Sequence, residues 1–187
     1  MKYSELERYT YEKLGDLSYE QISSGNRLIT NRTQEDVERW NVLRAKGWEA
    51  MTELERKEWM GELETEPCAA KGMYTHRDMN RVDGAIVDIL NRIKEEGYDT
   101  PELILNTGRT PETKIYDSDI NVFFSNISVI RDIFRVDPST PMAPYIGKKM
   151  DIDSANDIEK ILINVNDTFT RLKHSWYFTG ELFIGEV

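Results

Sequence analysis

A chain of 187 residues that is 39% hydrophobic and 31% charged has room for one sizeable domain with a modest core. Its 34 acidic residues against 24 basic ones give a formal charge of −10, which repels a phosphate backbone and excludes nucleic acid as a partner. No apolar run reaches the length of a membrane-spanning helix, so no membrane insertion is expected, and the one cysteine, Cys68, has no partner for an internal disulfide.

The chain starts MKYSELERYTYEKL, which lacks the apolar stretch of a secretory signal, so synthesis in a cytoplasm without export is expected. Residues 1–32 are polar and rich in tyrosine, with Tyr3, Tyr9, Tyr11 and Tyr19 set among charges and SSGNRLITNRT breaking any helix. Their hydrophobic density is too low for a core of their own. They read as an N-terminal arm that packs on something else.

Thr33 opens TQED, a capping box, and Val37, Trp40 and Leu43 follow at helical spacing until Gly47 stops the helix. Thr52 opens a second helix, TELERKEWMGEL, that carries Leu54, Trp59, Met60 and Leu63. Residues 33–66 are thus expected to form a helical hairpin, with Trp40, Trp48 and Trp59 in its core. Pro67 and Gly72 then punctuate the chain.

Residues 67–174 hold one helical pattern three times: THRDMNRVDGAIVDILNRI, YDSDINVFFSNISVIRDIF and DIDSANDIEKILINVNDTF. Each has Asn at its sixth place, namely Asn80, Asn121 and Asn156. Behind these follow Val82, Phe123 and Ile158; Ile86, Ile127 and Leu162; Ile89, Ile130 and Val165; and Ile93, Phe134 and Phe169. The spacing keeps each set on one helical stripe, and three such stripes can bury one another as a three-helix bundle. Near a helix start an Asn suits capping or an inter-helix hydrogen bond, and Asp78, Asp119 and Asp153 suit the same place. The linker over residues 97–116 predicts an extended piece or hairpin, and the three prolines of DPSTPMAPYIGKK exclude a helix there.

The ending WYFTGELFIGEV packs aromatic and branched residues around Gly180 and Gly185, which predicts a β-forming tail over residues 175–187. The fold class is therefore mainly α: a three-helix bundle of repeated helices plus an N-terminal helical hairpin, closed by a short β C-terminal segment.

No catalytic centre, cofactor or metal is expected. His76 and His174 stand far apart beside a single Cys, and no phosphate loop, dinucleotide fingerprint or nucleophile elbow occurs. DIDSANDIE begins like a calcium loop but lacks the sixth-place Gly, so it reads as a helix N-terminus. Acid pairs such as Glu53 with Glu55, or Asp151 with Asp153, read as solvated faces. The candidate functional residues are protein-interface ones: Tyr3, Tyr9, Tyr11 and Tyr19 in the arm, and Trp176, Tyr177, Phe178, Leu182 and Phe183 in the tail.

The stretches LITNRTQEDVERWNVLRAKGWEAMTELERKEWM, YTHRDMNRVDGAIVDIL, ANDIEKILINV and WYFTGELFIGE, in this order over residues 29–187, resemble a family of short virion-associated proteins. Such proteins are encoded among the tail and baseplate genes of tailed bacteriophages and prophages of Gram-positive bacteria. The resemblance implies a virion location and a structural, non-enzymatic role. The chain would be an adaptor linking tail-tip and fibre or receptor-binding subunits within a multi-subunit assembly. Two other roles compete: a host-surface carbohydrate-binding module, which needs Trp176 and Tyr177 on an open face, and a wall-degrading enzyme, which needs a cleft of convergent acids.

Overall fold

A computed structural model of the chain describes residues 28–63 and 65–182, with side chains through residue 173. The described part is mainly helical and contains no strand. Its five α-helices are α1 (Gln34–Lys46), α2 (Glu53–Met60), α3 (His76–Glu95), α4 (Asp117–Arg131) and α5 (Ile152–Leu182). Short 3-10 turns lie at Trp48–Ala50 and Ala69–Lys71.

The helix starts follow from local side-chain chemistry. Thr33 with Asp36, Thr52 with Glu55 and Thr75 with Asp78 form capping boxes that satisfy otherwise unpaired N–H groups. Asp119 reaches back to the Tyr116 N–H of α4 at 2.8 Å. At α5 the Asp151 carboxylate accepts from the Ser154 N–H at 2.7 Å. The caps are therefore supplied by these residues and not by the repeated asparagines. Asn80, Asn121 and Asn156 instead bond to the backbone of segments outside their own helices.

The three apolar stripes meet in one core. Val82, Ile86, Ile89 and Ile93 of α3 are buried with Phe123, Ile127 and Ile130 of α4 and Ile158, Leu162, Val165 and Phe169 of α5. Each such side chain contributes about 1.5–3 kcal/mol by leaving water. Helix α5 packs against both α3 and α4. Phe134 lies beyond the end of α4 and is half-buried, yet its ring stacks on Phe169 at 5.7 Å. Leu28 from the N-terminal side joins the same core.

The linker between α3 and α4 is extended and forms no hairpin. Its Leu103 and Leu105 pack on the core, and Asn126 of α4 donates to the Ile104 carbonyl at 2.7 Å. Single polar contacts thus replace the ladder of a sheet.

Helices α1 and α2 make a satellite core of Leu43, Met51 and Ala69, flanked by Trp40 and Trp59 stacked at 5.6 Å. Two buried carboxylates hold the connection to α3 on it. Asp36 accepts from the Cys68 N–H at 2.6 Å, and Glu58 accepts from the Ala69 N–H at 3.1 Å while forking with Arg39. Gly72 lies so close to α1 that a Cβ there would come within 2.1 Å of the Asp36 carbonyl oxygen. Trp48 departs from the expected core: it is 46% exposed, with Arg56 over its ring. It sits on the 3-10 turn, outside the stripe that α1 and α2 share. Leu54 and Met60 are exposed as well.

The C-terminal expectation is corrected. Helix α5 runs to Leu182, so residues 175–182 are helical and not β, while residues 183–187 lie outside the described ones. Extending a helix already formed fixes one residue per new hydrogen bond. No proline interrupts α5, and one interior glycine, Gly180, costs only about 1 kcal/mol relative to alanine.

Candidate functional site

The densest polar chemistry of the described chain lies where the segment before α1 crosses α3 and α5. The Arg32 guanidinium, its side chain 2% exposed, donates to Asp78 at 2.9 Å and to Glu159 at 2.6 Å. Arg81, one turn along α3 from Asp78, reaches the same two carboxylates at 2.7 Å each. Two cations thus face two anions. The Arg32 guanidinium also lies 5.3 Å above the ring of Tyr74.

The backbone joins in. Asn156 accepts from the Arg32 N–H at 3.0 Å and donates to the Arg32 carbonyl at 2.9 Å. Glu159 also accepts from the Ile29 N–H. Burial pushes the Asp78 carboxyl up, but Arg81 and Arg32 outweigh it and hold the group below its ordinary range. Burial, aided by Glu159 and Asp78, pushes the Tyr74 hydroxyl well above its ordinary value, so it stays protonated. Both carboxylates are engaged by guanidinium groups and backbone N–H groups. The cluster therefore fixes the segment in place and is poorly suited to moving protons.

A second charged contact lies on α3. Asp83 accepts from the Arg109 guanidinium at 2.8 Å and from the Asn106 N–H at 3.1 Å. Here burial outweighs the arginine and raises the Asp83 carboxyl. Its other oxygen is buried with no hydrogen-bond partner.

A different surface gathers at the start of α4. The Gly147 N–H donates to Asn121 at 2.9 Å and draws the proline-containing linker against the first turns of that helix. Of the two segments that this bond joins, one carries the exposed Tyr116 (61%) and Val122, and the other carries the exposed Met142 (74%), Tyr145 (71%) and Ile146 (67%).

The side chains of the interface residues expected from sequence all lie outside those described. Tyr3, Tyr9, Tyr11, Tyr19 and Phe183 lie outside the described residues. Trp176, Tyr177, Phe178 and Leu182 fall on the last turns of α5, with side chains beyond those described. Residues missed from sequence include Arg32, Glu159, Tyr145 and Ile146. The signal for the first two was present: an acid three places after Asn80 and Asn156, and Arg-Thr in both NRT and GRT.

Among the described residues no cluster of three or more His, Cys, Asp or Glu is placed to hold a metal ion. No described helix is long and apolar enough to cross a membrane. Comparison with known proteins finds no matching family model, curated protein or solved structure.

Proposed function

We propose that the chain is a non-enzymatic structural component of a phage tail or baseplate, an adaptor held between other subunits. The sequence resemblance sets the class of role. The observation that carries it structurally is the exposed apolar surface of Tyr116, Met142, Tyr145 and Ile146. Large apolar side chains left facing water on neighbouring segments are a common mark of a protein-binding surface, and Tyr and Met are enriched at such interfaces. The linker that carries three of the four is fixed by prolines and by the Gly147–Asn121 bond, so little ordering is needed on contact. In this reading α3, α4 and α5 act as a rigid three-helix bundle that keeps the surface in shape.

The test is the double substitution Tyr145→Asp with Ile146→Asp. Both residues are exposed, so the melting temperature of the purified protein should stay within a few degrees of wild type. Incorporation into phage particles should be lost. Normal incorporation of the double variant would remove this surface from the proposal.

A further inference from the structure

Two contacts described above are the same device. On α5, Asn156 brackets the N–H and carbonyl of Arg32, and three residues on, Glu159 takes the Arg32 guanidinium together with the Ile29 N–H. On α3, Asn80 brackets the N–H and carbonyl of Arg109 at 3.1 and 2.8 Å. Three residues on, Asp83 takes the Arg109 guanidinium together with the Asn106 N–H. Ile29 and Asn106 each stand three residues before their arginine, and in both cases the guanidinium also donates to that residue's carbonyl. These five bonds of one clasp each have a counterpart in the other, and the Arg32 site adds the ion pairs of Asp78 and Arg81.

Helix α4 carries a reduced copy. Asn121 accepts from the Gly147 N–H, but three residues after Asn121 stands Phe124, buried in the core, in place of the acid. Gly147 stands where the others have arginine, and Pro144, three residues before it, has no N–H to give. The acid, the guanidinium and the N–H it would accept are absent together, so no charge and no donor is left unpaired by the change.

The order of the pieces is the informative part. Helix α3 clasps the segment that follows it, and α4 clasps the segment that follows it. Helix α5 instead clasps residues 29–32, which lie more than a hundred positions earlier in the chain. We infer that the body is one helix-plus-segment unit used three times. The N-terminal segment serves as the third unit's segment, a strap that closes the three into a ring. The pair α1 and α2 is then an insertion between the strap and the first unit. Leu28 enters the common core directly before the strap, so opening the strap uncovers apolar surface there.

A strap of this kind opens locally, without loss of the helices, and its clasp is independent of the one on α3. Native-state hydrogen exchange on the full chain reads both properties. Asn156→Ala is expected to speed exchange at the Ile29 and Arg32 amides about tenfold, leaving Asn106, Arg109 and the α3 to α5 core amides protected. Asn80→Ala should do the reverse. Should Asn156→Ala fail to fold, Arg32→Lys keeps the charge, loses the fork, and should give the same local pattern. The inference fails if either substitution releases both clasps together, or if the strap amides exchange only with global unfolding.

Discussion

Asn156 grips a single residue from both sides: its oxygen accepts from the Arg32 N–H at 3.0 Å and its amide donates to the Arg32 carbonyl at 2.9 Å. Beside it, Glu159 and Asp78 take the Arg32 guanidinium in a site closed to water. Removing one member of such a set strands the others. Arg32→Ala should cost about 3–5 kcal/mol in urea unfolding, while Arg135→Ala, on the surface, should cost less than about 0.5 kcal/mol. Similar losses for the two would mean that the buried charges do not hold the strap.

The shared core makes a sharp contrast between neighbours on α4. Ile127 is fully buried and Ser128 is exposed. Ile127→Asp places an unpaired charge among Ile and Phe side chains and should abolish cooperative melting; Ser128→Asp should be nearly silent. Circular dichroism against temperature distinguishes them, and equal tolerance would count against a core common to the three helices.

At Gly72 the space is missing, not the conformational freedom. A Cβ would come within 2.1 Å of the Asp36 carbonyl oxygen and 2.8 Å of the Trp40 Cβ. Gly72→Ala should therefore push α1 away from Gly72 at a cost of about 1–3 kcal/mol. Tryptophan fluorescence should report it, because the Trp40–Trp59 stack borders the contact. Unchanged emission and unchanged stability would refute that close approach.

Acid should weaken the fold through two carboxylates. Arg39 holds Glu58 below its ordinary 4.5; Asp78, raised by burial but lowered further by Arg81 and Arg32, lies below its ordinary 3.8. For a depressed carboxyl the stabilisation is complete above the unfolded value and is lost as pH falls through the folded one. Stability should thus fall as pH drops below 4.5 and further below 3.8. Asp83 works in the opposite sense, because its raised carboxyl takes up a proton in the folded chain first and gains stability as pH falls. Asp83→Asn should remove that gain, so the variant should lose stability more steeply than wild type as pH falls. Urea midpoints measured from pH 7 to pH 3 give both curves.

The sequence made the helices legible wherever the signal was local. The apolar stripes of α3, α4 and α5 and the caps at Thr33 and Thr52 depend on residues within a turn or two of each other. The repeated Asn was visible too, but its bonding partners were not. Arg32 and Asn156 are far apart along the chain, and no local pattern states which segment crosses which helix. The tail was misread for a related reason. Residues 175–182 have β-forming side chains, yet they continue a helix already nucleated at Ile152. The surface at Tyr145 and Ile146 was hidden because exposure is not written in an apolar residue's identity.

The proposed role is tested most directly by counting this chain in purified particles. On that proposal the genome that encodes the chain makes phage particles, and these would be gradient-purified, washed in high salt and quantified by mass spectrometry. A structural tail or baseplate subunit should remain at a fixed ratio to the major tail protein from one preparation to the next. Intact, infectious particles that lack the chain would contradict the proposal.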